Sequence, residues 1–443
     1  MKVVVIGGVA AGMSAASKIK RIDKDTEVVV YEKGGYLSYG ACGLPYYVGG
    51  FNDDHTKMIA RSKEAFEKSG IKTHLHHEVL KVVPEEKKLL VRNYETGDIF
   101  IDTYDKLMVS TGAHAVKPPI EGIEKQGIYQ LKTLEDGLKL KNIVQNSQIK
   151  NVVVVGGGYI GIECVDAFLH MNKNVTCIEF ADRILMPFDK EISTLAEDEL
   201  RNKGAVLKTG EKVVAFKGNE SVSAVVTDKG EYQADLVVLS IGVRPSTAFL
   251  KDTKIHTAPN GALIVDREMR TSIQDIWAAG DCSLVYHKGL EENSFLALGT
   301  VANKCGRIAG ENIMGAHTKF VGALGSAAIK VCDIELGRTG LGEAEAQRQA
   351  LKYKTVVVEA YDHPAYYPNP TPIRIKLIYE EGSKILLGAQ TAGKKGAVMR
   401  VDVFAVAIHN KMTTDELGMT DLVYAPPFAG VWDAVHIACN AAK

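Results

Sequence analysis

One cysteine of the chain lies where a thiol could do chemistry: Cys42, within the run from Ser38 to Tyr46. The six other cysteines are scattered, at positions 164, 177, 282, 305, 332 and 439. None of them forms a Cys-x-x-Cys or Cys-x-x-x-x-Cys pair with Cys42. An isolated thiol can hold an oxidised state as a mixed disulfide with a small thiol or as a sulfenic acid. We therefore expect any disulfide of Cys42 to form with something other than a neighbouring cysteine.

The segment that precedes Cys42 has the pattern of a dinucleotide-binding βαβ unit. A buried strand, Lys2–Ile6, leads into a glycine turn and a helix to about Ile22, and a second strand, Glu27–Tyr31, ends at an acid. Such glycines let the backbone approach a pyrophosphate, the helix N-terminus stabilises its charge, and the acid binds ribose hydroxyls. The candidate binding residues are Gly7, Gly8, Ala11, Gly12, Glu32 and Lys33. The unit departs from the usual motif at Val9, which stands where the middle glycine is expected.

A second unit of the same kind follows about 150 residues later. The strand Asn151–Val155 leads into a complete glycine motif, and the strand Asn174–Ile178 ends at an acid. Its candidate binding residues are Gly156, Gly158, Tyr159, Ile160, Gly161 and Glu179. Two complete units predict two bound dinucleotides. Glu179 would repel a 2′-phosphate and so favours NADH over NADPH, an inference that the nearby Arg183 weakens.

Two further strand-to-glycine runs, Tyr104–Gly112 and Thr271–Asp281, connect the units. With them, the chain resembles the flavin-containing pyridine nucleotide-disulfide oxidoreductases over nearly its whole length. The resemblance implies FAD at the first unit and NADH or NADPH at the second. It also implies cofactor-binding roles for Thr111, Gly112, Gly242, Gly280, Asp281 and Glu163, and makes Tyr159 the residue that covers the flavin until nicotinamide displaces it.

The resemblance also implies the architecture: an α/β chain with two Rossmann-like dinucleotide-binding domains and an α+β C-terminal dimerisation domain. We expect an FAD-binding domain at 1–112 and 245–318, an NAD(P)-binding domain at 113–244, and the dimerisation domain at 319–443. The last segment has β-rich stretches at 354–360 and 373–379 and helical patterns at 396–411 and 414–417. In this family that segment forms a homodimer interface and lends residues to the partner's active site.

Within the family, the chain resembles the branch that has a single active-site cysteine. That branch contains coenzyme A-disulfide reductases, NADH oxidases and NADH peroxidases. The oxidases and peroxidases have a histidine inside the first glycine turn, where this chain has Ala10. We therefore expect reduction of coenzyme A disulfide, or of a related small disulfide, by NAD(P)H. An NADH oxidase acting through a Cys42 sulfenic acid, a persulfide or polysulfide reductase, and a flavin-bearing redox sensor stay as alternatives.

Two groups of residues favour coenzyme A as the thiol. Segments around Tyr367 and Tyr424 resemble those that coenzyme A-disulfide reductases place over the partner subunit's cysteine, and a phenol could protonate a departing thiolate there. Ser14, Lys18 and Arg21 recur at i, i+4 and i+7, so they share one helix face near the first glycine turn. We expect that face, with Ser38 and Arg61, to contact the coenzyme A phosphates.

Composition excludes other classes of function. The formal net charge is -1 over 443 residues, which provides no basic field for nucleic acid. No apolar run approaches the ~20 residues of a membrane-spanning helix. The histidines and cysteines lack metal-ligand spacing, so we expect no metal site. The cysteines are scattered and odd in number, which favours a reducing compartment over a disulfide framework, and we expect a cytoplasmic protein.

Overall fold

A computed structural model describes residues 1–443, and its first layer is a parallel sheet built around the N-terminal strand. The strand order is Ile276–Ala278, Lys106–Val109, Lys2–Ile6, Glu27–Tyr31 and Ile71–His74, all parallel. The sheet packs against the helices Ala10–Ile22 and Gly299–Ile313. Because the carboxyl ends of parallel strands share one edge, the predicted glycine turn and the Thr111-Gly112 and Gly280-Asp281 pairs meet there.

A second parallel sheet repeats this design. Its strand order is Val206–Thr209, Asn174–Glu179, Asn151–Val155, Leu236–Leu239 and Ile128–Gln130. Its helices are Leu134–Val144, Tyr159–His170 and Lys190–Asn202. The near-continuous Val, Ile and Leu runs of the central strands reflect burial on both faces. The predicted α/β class with two Rossmann-like units is confirmed.

Short antiparallel elements connect and border the two layers. The strands Ala113–Ala115 and Val243–Pro245 pair where we expect the chain to leave and re-enter the first domain, although the domain limits themselves stay a prediction. The other antiparallel strands are His77–Val83, Lys88–Asn93 and Ile99–Thr103; Val213–Lys217, Ala224–Thr227 and Glu231–Gln233; and Val285–His287 with Glu292–Ser294. Two short helices, Leu44–Val48 and Lys63–Lys68, follow the second strand of the chain.

The C-terminal region is an antiparallel sheet covered by helices. The strand order is Ala327–Val331, Ile334–Gly340, Leu386–Gly393, Pro372–Glu380 and Tyr353–Tyr361. The helices are Glu343–Arg348, Ala397–His409, Thr414–Leu417 and Ala434–Asn440. The strands and helices predicted here are confirmed to within one or two residues. None of the helices in the whole chain combines the length and apolarity needed to span a membrane.

Candidate active site

The first glycine turn is shaped by close backbone contacts that only glycine permits. Gly7 has a φ of +99°, and a Cβ there would lie 2.3 Å from the Ser110 carbonyl oxygen. A Cβ on Gly12 would lie 1.9 Å from the Gly7 carbonyl oxygen. The helix therefore begins directly against the end of the strand, at the half-buried Val9 and Ala10 and the buried Ala11.

The acid that follows the second strand turns back onto this glycine turn. The Glu32 carboxylate accepts hydrogen bonds from the backbone N–H of Gly8 at 2.6 Å and of Gly34 at 2.7 Å. Burial raises the pKa of Glu32, and the two N–H donors oppose that shift. Lys33 extends into solvent instead and pairs with Glu78 at 2.7 Å.

The second glycine turn has the same construction. Gly156 has a φ of +107°, and a Cβ on Gly161 would lie 1.9 Å from the Gly156 carbonyl oxygen. The Glu179 carboxylate accepts from the N–H of Gly157 at 2.5 Å and of Ala181 at 2.7 Å. The two acids therefore play the same structural role in both units, which the sequence analysis did not anticipate.

Both turns fit dinucleotides. The helices Ala10–Ile22 and Tyr159–His170 begin without a side-chain cap, so their first N–H groups are free to bind a phosphate. A Cβ at Gly112, Gly158 or Gly242 would project into open space, with no protein atom within 4 Å. All three positions leave room for a ligand, and Gly112 and Gly242, with φ of +63° and +105°, also require glycine for their backbone conformation, as Gly7 and Gly156 do.

Cys42 lies in the short turn Ala41–Gly43 that leads into the helix Leu44–Val48. Although Cys42 is exposed, neighbouring protein atoms partly desolvate its sulfur, which raises the pKa of the thiol. The negative charge of Glu163 adds to this shift, and the positive charge of Lys132 opposes it.

Two residues that the sequence analysis missed, Tyr46 and Lys132, lie close to Cys42 and to the predicted cofactor-site acids. The Tyr46 hydroxyl donates a long hydrogen bond of 3.4 Å to Glu163, and burial raises the pKa of Glu163 to about 7. Lys132 pairs with the predicted FAD ligand Asp281 at 3.0 Å. Tyr46 lies one helical turn after Cys42, and Lys132 follows the strand Ile128–Gln130; both positions could have signalled proximity to a ligand.

The remaining predicted cofactor residues also lie around these turns. Tyr159 is the first residue of its helix, packs at 6.0 Å ring distance against Phe188, and has a hydroxyl without a hydrogen-bond partner. Burial raises its pKa to about 12. Ile160 is half-buried beside it. The Thr111 hydroxyl donates to the Ser246 carbonyl oxygen at 2.8 Å. This bond connects the point where the chain is expected to leave the first domain with the point where it is expected to return.

The two C-terminal tyrosine segments meet through Tyr366 and Tyr424. The Tyr424 hydroxyl lies 2.8 Å from that of Tyr366, whereas Tyr367 packs edge-on against His363 at 5.4 Å ring distance. All three tyrosines are exposed in the single chain. Tyr366, the neighbour of Tyr367, is therefore a further candidate, to which the sequence analysis assigned no role.

A basic groove of about 430 Å³ extends along the first helix. Four of the five predicted coenzyme A contacts line it: Ser14, Arg21, Ser38 and Arg61. Four further polar or basic residues and one aromatic ring lie beside them: Ser17, Asn303, Lys304, Arg307 and Phe66. Ala10 and Met13 complete its wall. Lys18, the fifth, lies outside the groove and pairs with Glu311 at 2.9 Å. Lys304 and Arg307 were missed because they belong to a helix almost 300 residues away in sequence.

Comparisons with known proteins agree with this geometry. A family model for pyridine nucleotide-disulphide oxidoreductases matches residues 1–306, and the dimerisation-domain model of the same family matches residues 326–435. The chain is 36% identical over 443 residues to a Pyrococcus horikoshii NAD(P)H coenzyme A polysulfide/persulfide reductase, covering 100% of this chain and 98% of that protein.

Other relatives represent the other activities considered above. The chain is 29% identical over 445 residues to a Staphylococcus aureus coenzyme A disulfide reductase, covering 100% of both proteins. The solved structure of a water-forming Lactobacillus brevis NADH oxidase bound to NADH matches with a TM-score of 0.96 and 31% identity, covering 100% of this chain and 98% of that one. The predicted cofactors, FAD with NADH or NADPH, are confirmed. By its two glycine turns and these matches, the chain belongs to the pyridine nucleotide-disulphide oxidoreductase family.

Proposed function

We propose that this protein uses NADH or NADPH to reduce coenzyme A disulfide, or a related low-molecular-weight disulfide, through a mixed disulfide on Cys42. The observation that carries the proposal is the basic groove along the first helix. Arg21, Arg61, Lys304 and Arg307 all line it, in a chain whose net charge is only -1. A local concentration of guanidinium and ammonium groups is suited to phosphates, which coenzyme A carries and simple thiols lack.

The groove begins at the glycine turn and extends away from it. Ala10 and Arg21 both line it, and eleven residues of helix separate them by about 16 Å. A ligand with a thiol at one end and phosphates at the other could therefore keep its sulfur near the turn while its charges contact the arginines. The Phe66 ring, stacked by the Arg61 guanidinium at 4.4 Å, adds an aromatic surface to the same wall.

In the proposed reaction, the Cys42 thiolate attacks one sulfur of the substrate disulfide. The substrate S–S bond breaks, a new bond forms between Cys42 and that sulfur, and one thiolate departs. Tyr424 of the partner subunit, with Tyr366 or Tyr367 beside it, donates a proton or a hydrogen bond to the departing thiolate. Lys132 stabilises the Cys42 thiolate by its positive charge, and Glu163 with Tyr46 opposes premature ionisation.

Two electrons from the nicotinamide nucleotide then cleave the mixed disulfide, releasing the second thiolate and restoring the Cys42 thiolate. When bound, FAD would supply the transfer of an electron pair from NAD(P)H to sulfur. We propose that Gly7, Gly8, Ala11, Gly12, Glu32, Thr111, Gly112, Gly280 and Asp281 hold FAD, with Glu163 at its site. Gly156, Gly158, Tyr159, Ile160, Gly161, Glu179 and Gly242 would hold the nicotinamide nucleotide. One disulfide, one reduced nucleotide and one proton thus give two thiols and the oxidised nucleotide.

For the second site we propose a preference for NADH. Glu179 lies at the end of the strand that faces the ribose in this fold, and its charge would repel a 2′-phosphate. Arg183, the residue that could have offset this, is turned inward: its guanidinium donates to the carbonyl oxygens of Met186 at 3.4 Å and Phe188 at 3.1 Å. Replacing Arg183 by Ala should therefore leave the ratio of kcat/KM for NADH and NADPH nearly unchanged.

A persulfide or polysulfide bound to coenzyme A is the second candidate substrate. It is favoured by the 36% identity with the Pyrococcus horikoshii enzyme, whose name includes both coenzyme A and persulfide. Cys42 and the groove would serve that reaction equally well, because the carrier thiol is the same. An oxidase acting through a Cys42 sulfenic acid is less favoured, because Ala10 stands where such enzymes have a histidine.

The Cys42→Ser enzyme tests the mechanism. We expect it to keep its FAD and lose more than about a hundredfold in disulfide reduction, because no sulfur remains to form the mixed disulfide. Cys332→Ser, at a half-buried free cysteine that has no role in the proposed mechanism, is the matched control and should retain activity. Turnover of coenzyme A disulfide by the Cys42→Ser enzyme at the wild-type rate would contradict the proposal.

The mass of the adduct on Cys42 in the purified enzyme identifies the small thiol that forms the mixed disulfide. We expect an adduct equal to one coenzyme A, removed by NADH. Steady-state NADH consumption with coenzyme A disulfide, with coenzyme A persulfide and with air alone then ranks the three candidate reactions. Fast consumption that needs only dioxygen would favour the oxidase.

The assembly that we propose is a homodimer whose active sites combine Cys42 of one subunit with the tyrosine pair of the other. The dimerisation-domain match supports it, as does the exposure of Tyr366 and Tyr424 in the single chain. We retain the domain limits 1–112 with 245–318, 113–244 and 319–443 as a proposal. A reducing compartment such as the cytoplasm is proposed from the seven free thiols.

A further inference from the structure

Lys376 is a lysine buried completely at the centre of a cluster of three carboxylates. Its side chain has 0% exposure, and its ammonium lies 3.2 Å from Asp189 and 2.9 Å from Glu191, and in direct contact with Glu343. An ammonium is expensive to remove from water, and here three acids compensate for that cost. The cluster lies away from Cys42 and takes no part in the proposed chemistry.

The cluster joins two parts of the chain that are far apart in sequence. Asp189 and Glu191 lie at the start of the helix Lys190–Asn202, which packs on the second parallel sheet, whereas Lys376 and Glu343 belong to the C-terminal region. The Asp189 backbone N–H also donates to the Gln390 side-chain oxygen at 2.7 Å, inside the same contact. These bonds fix the first turn of the helix against the antiparallel sheet.

A second cation of the C-terminal sheet, Arg338, binds the same segment two residues before Asp189. The Arg338 guanidinium donates to the Pro187 carbonyl oxygen at 2.5 Å and is itself held by Glu345 at 2.7 Å. Arg338 is almost fully buried. The segment from Pro187 to Glu191 is thus bound by two buried cations of the C-terminal region, at the Pro187 carbonyl oxygen and at the side chains of Asp189 and Glu191.

The other end of the same segment is bound to the second glycine turn. The Leu185 N–H donates to the Gly157 carbonyl oxygen at 2.8 Å, and the Phe188 ring packs against Tyr159. The segment Arg183–Asp189 therefore connects the buried cations directly to the backbone that faces the nicotinamide nucleotide. A shift of this segment would move the turn, and glycine turns bind pyrophosphate only at close approach.

We propose that Lys376, supported by Arg338, is a positioning residue for the nicotinamide nucleotide. It fixes Arg183–Asp189 to the C-terminal sheet and so sets the affinity of the second glycine turn for NAD(P)H. The dimerisation region thereby supports the nucleotide site of its own chain. This inference depends on the second turn binding the nicotinamide nucleotide, as proposed above, and is independent of which disulfide is reduced.

The test is Lys376→Met in the FAD-loaded enzyme, with ferricyanide as electron acceptor so that neither Cys42 nor coenzyme A is required. We expect KM for NADH to rise about tenfold, with kcat at saturating NADH changed less than about twofold. Amide hydrogen exchange of residues 183–189 should accelerate in the variant, and NADH should slow it again. Lys384→Met is the matched control, because Lys384 pairs with Asp415 at 3.0 Å at the surface of the same region.

A KM within about twofold of wild type, together with a lower melting temperature, would make the cluster purely structural and overturn the proposal. Glu191→Gln covers the case in which Lys376→Met does not fold, since the Glu191 side chain is 44% exposed and is one of three partners. We expect that variant to raise KM for NADH about twofold to fourfold. An unchanged KM with unchanged exchange of residues 183–189 would overturn the proposal as well.

Discussion

At the scale of single residues, partial burial of the sulfur is the main cause that raises the pKa of Cys42, and three charged side chains modify that shift. Glu163 and Asp281 disfavour its thiolate, and Lys132 favours it. Lys132 pairs with Asp281, whereas Glu163 has no such cationic partner. Of the nearby charges, Glu163 therefore contributes most to the raised pKa of Cys42. Glu163 therefore acts as an electrostatic control on the thiol, independent of any contact that it makes with a cofactor.

Glu163→Gln should lower the pKa of Cys42. The carboxylate raises that pKa by disfavouring a second negative charge, so a neutral amide of the same shape removes the effect. The rate of iodoacetamide alkylation of Cys42, followed across neutral pH, should rise at a lower pH in the variant. Glu135→Gln, at an exposed carboxylate, is the control. An alkylation profile that stays in place or moves to higher pH would contradict this account.

Phenylalanine substitutions separate the three tyrosines. Since Tyr366 and Tyr424 share a hydrogen bond of 2.8 Å, removing either hydroxyl should reduce disulfide turnover by a similar factor, about tenfold to a hundredfold. Tyr367→Phe should cost less if its edge-on packing against His363 is its main role. The measurement is kcat with coenzyme A disulfide. A large loss only in Tyr367→Phe would restore the assignment made from the sequence.

At the scale of elements, the first glycine turn depends on how closely two helices cross. The helices Ala10–Ile22 and Gly299–Ile313 approach so closely that a Cβ on Gly306 would lie 2.2 Å from the Ala11 carbonyl oxygen. A Cβ on Gly310 would lie 2.7 Å from the Ala15 carbonyl oxygen. This crossing also sets the width of the basic groove, because both helices contribute to its walls.

Gly306→Ala should therefore separate the two helices. We expect a loss of about 1–3 kcal/mol in unfolding free energy, because the clash is with backbone that cannot rotate away. FAD should dissociate more readily, since Ala11 belongs to its turn. Thermal unfolding and released flavin fluorescence measure both effects. Thr300→Ala, at an exposed position of the same helix, should change neither, and an equal effect of the two variants would refute the explanation.

At the scale of the whole molecule, one end of the C-terminal region carries a group of exposed apolar side chains. They include Tyr366, Val423, Phe428, Val431 and Trp432, with Val423 89% exposed. Exposed apolar groups of this extent mark protein contacts, and these include Tyr366 and are close in sequence to Tyr424, the two tyrosines that we assign to the partner's site. The single chain is thus incomplete as a catalyst in our proposal.

Mixed dimers test that division of labour. Cys42→Ser and Tyr366→Phe/Tyr424→Phe subunits should each be poorly active alone. After mixing and subunit exchange, about half of the dimers are mixed and each has one intact site, so about a quarter of wild-type activity should return. Native mass spectrometry verifies that the exchange took place. If activity stays at the level of the parent dimers after verified exchange, the tyrosines serve their own chain.

Short sequence patterns were sufficient to predict most of the fold. Each strand of the two βαβ units is a short apolar run, and the glycine turns and terminal acids follow at fixed spacing, so neighbouring residues determined them. The observed strand Asn151–Val155 coincides with the predicted one, and Cys42 was recognisable because no second cysteine lies near it. These features depend on backbone stereochemistry and solvent exclusion over a few residues, which the sequence by itself determines.

Only the tertiary structure decided which side chains face one another. Lys132 and Asp281 are 149 residues apart, and Lys376 meets Asp189 from 187 positions away. Lys18 was predicted for the substrate groove by its helix face, yet Glu311 of the crossing helix holds it elsewhere. Tyr366, rather than its neighbour Tyr367, reaches Tyr424, and the Tyr367 ring packs against His363. Periodicity fixes the face on which a residue lies, whereas its partner depends on how distant elements pack, and no local pattern contains that information.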